Sequence, residues 1–410
     1  MGFVSVKYMG SKRAMLGNGL GDALHRSLQQ ANRVFDLFTG SAAVAWHVAQ
    51  RYQKEVIACD LQQYSAVLAA AVIERTEAIE DNGWVERWMR SAAARLWAHR
   101  DWQALKAHQQ GLGHVPVAEA AQAARLFDLG LRYPIARAYG GYYFSPWQAA
   151  WIDALRASLP DQASIRNVAL AALIQAASRC AASPGHTAQP FKPNETAGPF
   201  LIDAWRRDLP AIVRARIGDL APRRAHVCGR AYRADALDIA RTVRRGDLVF
   251  VDPPYSGVHY SRFYHVLESV ARGTVGDVSG AGRYPASDCR PSSSFSVLTR
   301  SRAAFDDLLA ELSTRGAAVI ITFPAGKASN GLSGEDVKTL AAQHFSIAEE
   351  KVTSRFSTMG GDRKHRAARQ DADELILTLS THDGSSIKHP LQVNTSAITA
   401  RPCDPCFLEH

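Results

Sequence analysis

Apolar and polar positions along the 410 residues follow two different periods. Short runs rich in β-branched and aromatic residues read as buried strands, at 34–38, 55–59, 248–251, 317–323 and 374–379, with a further one at 225–230. Segments with apolar residues three or four apart read as helices, at 14–30, 44–52, 64–79, 119–131, 165–182, 261–270, 301–315 and 335–344. Strands and helices alternate at both ends of the chain, which predicts an α/β fold with a mainly parallel sheet. Between 83 and 225 the strand period is lost. Trp84 and Trp88 share one helical face there and are expected in the core. The chain therefore divides into one α/β domain made of 1–80 and 225–380, a mostly helical insert at 81–224, and a polar tail at 381–410 expected to be disordered.

The insert carries two loops of unusual make-up. One is Tyr139-Gly-Gly-Tyr-Tyr-Phe-Ser-Pro-Trp147, and the other spans 183–194 and holds His186, Gln189 and Asn194. Aromatic, His, Gln and Asn side chains on such loops are types that stack on bases or hydrogen-bond to their edges. Residues 273–296, rich in Gly, Ser and Pro, read as a mobile loop able to lie over substrate. Net charge is +9, and arginines crowd the stretch from Arg206 to Arg245, suiting a polyanionic partner. A run of about eighteen apolar residues is absent, so no membrane partner is expected and a cytoplasmic, nucleoid-associated location is. Cys403 and Cys406 form a CxxC with no second pair, so no metal site is expected.

The chemistry gathers at strand ends. Leu248–Val251 runs into Asp252-Pro253-Pro254-Tyr255, where two prolines end the ladder and stiffen the turn. An acid, backbone carbonyls and an aromatic face held there suit a flat heterocycle bearing an exocyclic amine. The strand at 34–38 passes into Thr39-Gly40-Ser41-Ala42, and the next strand ends in Asp60, about twenty residues after the glycine turn. Such a unit suits a nucleoside-containing cofactor, with the acid on ribose hydroxyls. The full GxGxxG fingerprint is missing, which argues against a nicotinamide enzyme. Asp235 is a further carboxylate at the same edge, and Lys7-Tyr-Met-Gly-Ser-Lys12 makes a lip suited to anions and rings.

Together KYMGSK, DLFTGSAAVA, VDPPY and the late MGGDRKHRAARQDADELIL resemble the Dam-like DNA adenine-N6 methyltransferases, in a restriction-modification-type branch. One departure is Gly40-Ser41-Ala42 where that family usually has Gly-Ser-Gly. The resemblance implies a Rossmann-like S-adenosylmethionine-dependent methyltransferase sheet with a helical target-recognition insert. It implies double-stranded DNA as substrate, and a cognate restriction endonuclease or other defence component as a partner. Position by position, Tyr8 and Lys12 are expected to touch S-adenosyl-L-methionine, with Asp36 and Gly40 bordering its methionine part. Asp60 is expected on ribose, Asp235 on the adenine amine, and Asp252 beside the methyl donor. Asp252, Pro253, Pro254 and Tyr255 are expected to hold the target base, and Tyr260, Phe263 and Tyr264 to line its pocket. Two other readings stand beside this one, a cytosine-N4 methyltransferase and a non-catalytic DNA-binding regulator.

Overall fold

The computed structural model describes Val6 and residues 11–256, 260–355 and 371–381. The strands are β1 (Arg33–Asp36), β2 (Glu55–Asp60), β3 (Arg230–Arg233), β4 (Leu248–Val251), β5 (Val278–Ser279), β6 (Tyr284–Pro285), β7 (Ala318–Pro324), β8 (Ser346–Arg355) and β9 (Asp371–Ser380). Seven of them form one sheet in the order β3-β2-β1-β4-β7-β9-β8. Pairing is parallel from β3 through β7, and β9 enters antiparallel between β7 and β8. This is the mostly parallel Rossmann-like arrangement the alternation predicts. β5 and β6 make a separate antiparallel ribbon.

Period-two alternation sends neighbouring strand residues to opposite faces. Val34, Val56, Leu248, Phe250, Ile320 and Ile376 enter one core. Phe35, Ile57, Val249, Val251, Val319, Ile321 and Leu377 enter the other. Helices cover both faces, which is why β4 is buried at every position. The first face carries the helices Gln63–Ile73 and Tyr260–Arg272, and the second carries Ser301–Thr314 and Gly334–Ala342.

The stretch from 81 to 224 is helical, as its period implies, yet it does not stand apart. Its long helix Ala163–Cys180 packs on Gln63–Ile73 and Tyr260–Arg272 of the α/β part and on Leu209–Leu220 of its own. Val168, Leu173 and Ile174 lie in the same apolar cluster as strand residues Val34 and Phe250. The insert owns a smaller cluster around Trp205 and Leu201. Trp84 and Trp88 are buried and stacked, with ring centroids 6.3 Å apart.

Several elements differ from expectation for local reasons. The helix expected at 14–30 is two, Arg13–Leu16 and Leu20–Leu28, broken at Gly19 with φ 85°. The helix expected at 64–79 closes at Ile73, and the one at 119–131 is Val117–Ala124. The strand expected at 225–230 begins at Arg230 instead. Before that point the amides of Ala225, His226 and Gly229 donate to carbonyls of Arg75, Ala49 and Ile73, so this stretch is spent on helix ends. Residues 273–296 hold the β5–β6 ribbon and two 3-10 turns, Ser287–Cys289 and Ser294–Ser296. β8 was not anticipated, because its SIAEEKVTSR mixes charge into an edge strand.

The basic stretch does not form one track. Arg207, Arg214, Arg216 and Arg241 pair with Asp203, Glu86, Asp219 and Asp238. Arg223 and Arg224 line a surface pocket with Gln50 and Thr76, ahead of β3 and so at the amino edge of the sheet. The late basic segment at 363–369 and the tail beyond 381 lie outside the described residues.

If insert and sheet share a core, Ile174→Ala must weaken both. The expected loss is about 2–5 kcal/mol, seen by calorimetry as one transition moved to lower temperature. Two transitions, with one unmoved, would show an independently folded insert.

Candidate active site

A pocket opens over the carboxyl ends of the central strands. Its wall includes Leu37 and Phe38 after β1, Asp60, Leu61 and Gln62 after β2, Asp235 after β3, and Asp252 through Tyr255 after β4. This is the edge where parallel sheets present ligand-binding groups. Pro291, Ser293, Phe295 and Ser296 from the 273–296 segment close another side. Phe295 meets Phe38 edge-on at 5.0 Å, so that segment is packed into the pocket wall.

Asp60 organises the cofactor half. Its Oδ2 accepts from the Gly40 amide at 2.9 Å and its Oδ1 from the Gln62 amide at 2.9 Å. The glycine turn is thereby hung on the end of the neighbouring strand. Gly40 has φ 51° and Ala42 has φ 62°. Ala42, which departs from the family pattern, thus occupies the left-handed region that glycine adopts without penalty. Its methyl is fully buried. Asp235 caps the following short helix, its Oδ1 accepting from the Leu237 amide at 2.9 Å.

Asp36 lies beneath the pocket, 1% exposed, with Oδ1 making no hydrogen bond. Burial, then the charges of Asp252 and Asp60, push its pKa up to about 8. An ammonium group placed here would meet an acceptor already desolvated.

Asp252 is held differently from the other acids. Its Oδ1 lies 3.1 Å from the Lys12 ammonium and accepts from Thr322 Oγ1 at 3.0 Å. Burial raises its pKa, opposed by Lys12 and by the hydrogen bond from Thr322. Lys12 is 4% exposed, and its ammonium also sits 3.5 Å from Glu374 Oε2. It lies 5.6 Å from the Tyr255 ring centroid. Lys12 therefore sits behind the acid, on the Oδ1 side of Asp252. Tyr255 packs edge-on against Phe323. Asn330 donates through Nδ2 to the Pro254 carbonyl at 3.3 Å, and its amide donates to the Tyr255 carbonyl at 3.2 Å. The stiff turn is clamped from below by a buried amide side chain.

The expected base-pocket residues divide. Tyr8 and the Tyr260 side chain lie outside the described residues. Phe263 is half-buried, with its ring 5.2 Å from His186. Its carbonyl accepts from both the amide and the hydroxyl of Thr187, tying the 183–194 loop to this helix. Tyr264 does not reach the pocket. It is fully buried, 5.7 Å from the Tyr64 ring, because it falls on the face its helix turns to the core. The aromatic loop at 139–147 is likewise more structural than expected. Tyr139, Tyr143 and Phe144 are fully buried, and the Tyr143 hydroxyl donates to carbonyls of Thr187 and Gly282. Tyr142 is half-buried, between the guanidinium groups of Arg125 and Arg283 at 4.5 and 4.3 Å.

Thr322 and Glu374 escaped the sequence reading. Thr322 is a polar residue inside the apolar strand AVIITFP, and that interruption is a signal, whereas Glu374 follows two aspartates in DADELILTLS and carries no such mark.

Residues 8–93 match the family of D12 class N6 adenine-specific DNA methyltransferases. The match bears out the resemblance carried by DLFTGSAAVA and ends well before Asp252. Over 272 residues the chain is 25% identical to the type II methyltransferase M.FokI of Planomicrobium okeanokoites, covering 65% of this chain. The chain spans 37% of that protein's length.

The pKa of Asp36 gives a testable pH dependence. A carboxyl whose folded pKa is raised binds more protons folded than unfolded, so its contribution to stability falls as pH rises through the folded value. Asp36→Asn removes that dependence, so its melting temperature relative to wild type is expected to rise between about pH 5 and pH 9. A constant difference over that range would contradict the assignment.

Proposed function

We propose that this chain, bearing the D12-class signature over its first strands, is a site-specific DNA adenine-N6 methyltransferase using S-adenosyl-L-methionine. The observation that carries this reading is the Asp252-Pro253-Pro254-Tyr255 turn, clamped at the carboxyl end of β4 and sharing one pocket with Asp60 and Asp235.

The residues present fit the donor. Asp36 offers an unpartnered buried oxygen to its ammonium, Asp60 offers acceptors to ribose hydroxyls, and Asp235 offers one to the adenine amine. Gly40 sets the turn beside them, its amide donating to Asp60. When bound, the cofactor supplies an electrophilic methyl group.

The chain's own task is to present a nucleophile. An exocyclic amine of adenine is weakly nucleophilic because its lone pair is delocalised into the ring. Asp252 Oδ2 and the Pro253 carbonyl accept its two N–H bonds, drawing the nitrogen towards tetrahedral geometry and aiming its lone pair outward. The Pro254 carbonyl accepts from Asn330, which anchors the turn behind the base. Tyr255 supplies a stacking face. Positioning and preorganised charge do the rest. A base in a duplex cannot reach this depth, so the nucleotide is flipped out. Double-stranded DNA is the substrate. Similarity to a type II methyltransferase supports a restriction-modification setting, with a cognate endonuclease as partner.

Asp252→Ala is expected to reduce transfer of tritiated methyl groups to DNA below detection while leaving the melting temperature within a few degrees. Retained transfer would overturn the mechanism.

A further inference from the structure

The two oxygens of Asp252 have different surroundings. Oδ1 carries both the Lys12 ammonium at 3.1 Å and the Thr322 hydroxyl at 3.0 Å. Among the described residues no donor reaches Oδ2. Thr322 belongs to β7 and Glu374 to β9, where Glu374 pairs opposite Pro324. β7, next to β4, therefore supplies one anchor directly, and β9, one strand further out, supplies the other through Lys12.

A lysine ammonium sits on a flexible stem and loses rotamer entropy when fixed. Buried charge must also be paired. Lys12 and Glu374 are 4% and 2% exposed, and the Lys12 ammonium lies 3.5 Å from Glu374 Oε2 as well as 3.1 Å from Asp252. Two carboxylates share one ammonium, and burial together with the charge of Asp252 raises the pKa of Glu374 against the opposing charge of Lys12.

We propose that Glu374 is a positioning residue for methyl transfer. It holds Lys12 on Oδ1 of Asp252, fixing the acid's rotamer and reserving Oδ2 for the target base. The inference rests on the methyltransferase reading above. Glu374 acts through Lys12, so its effect must vanish when Lys12 is gone.

The test is a double-mutant cycle with Glu374→Gln, Lys12→Met and the pair, read by steady-state transfer of tritiated methyl groups to DNA. Glu374→Gln is expected to lower kcat about tenfold, roughly 1.4 kcal/mol of barrier, with KM for cofactor and DNA within about threefold. The double variant is expected to be no slower than Lys12→Met alone. Wild-type kcat in Glu374→Gln, or multiplied losses in the double variant, would overturn the proposal. Should a variant in the cycle fail to fold, Glu374→Asp keeps the charge but shortens the reach. Lowered kcat in it supports the clamp, and wild-type kcat refutes it. Absence of transfer by the wild type would remove the functional reading itself, whereas transfer unaffected by Glu374→Gln removes the clamp alone.

Discussion

A buried acid at the end of β4 is the constraint around which this structure is arranged. Asp252 must remain available to a ligand while surrounded by protein, and burial alone would favour its neutral form. Lys12 and Thr322 counter that cost from behind. Lys12 in turn needs Glu374, which requires β9 to lie beside β7. The antiparallel strand that completes the sheet is thus also part of the site's electrostatic support.

The same edge collects Asp36 and Asp60, the last residues of β1 and β2, and Asp235, which follows β3. Their environments separate their uses. Asp60 spends hydrogen bonds on the backbone of the glycine turn, and Asp235 spends one on a helix cap. Asp36 is sealed beneath the pocket with an oxygen unpartnered. A donor with an ammonium, vicinal hydroxyls and a heterocyclic amine matches that spread of acceptors better than a uniform acidic ligand site would. The helices over the opposite end of the sheet serve packing, and much of the arginine stretch that invites a nucleic-acid reading lies there or in ion pairs.

Much of this was legible in the sequence because strand ends carry local signatures. Asp60 follows EVIAC, and Asp252 follows LVFV and precedes two prolines, so period and punctuation locate both without a structure. Contacts between strands distant in sequence were not legible. Glu374 lies far along the chain from Lys12, and nothing local states that β9 inserts between β7 and β8. The burial of Tyr264 was not legible either, because helical phase, four residues beyond the start of its helix, turns it into the core. Nor was the packing of the apolar helix Ala163–Cys180 legible, since it reads as self-contained until the face it packs against is known.

Mass spectrometry of nucleosides from DNA treated with the wild-type protein and S-adenosylmethionine tests the central claim most directly. A flipped adenine held by Asp252 and the Pro253 carbonyl gives N6-methyladenine as the modified nucleoside. N4-methylcytosine, or DNA carrying no added methyl group, would contradict the account.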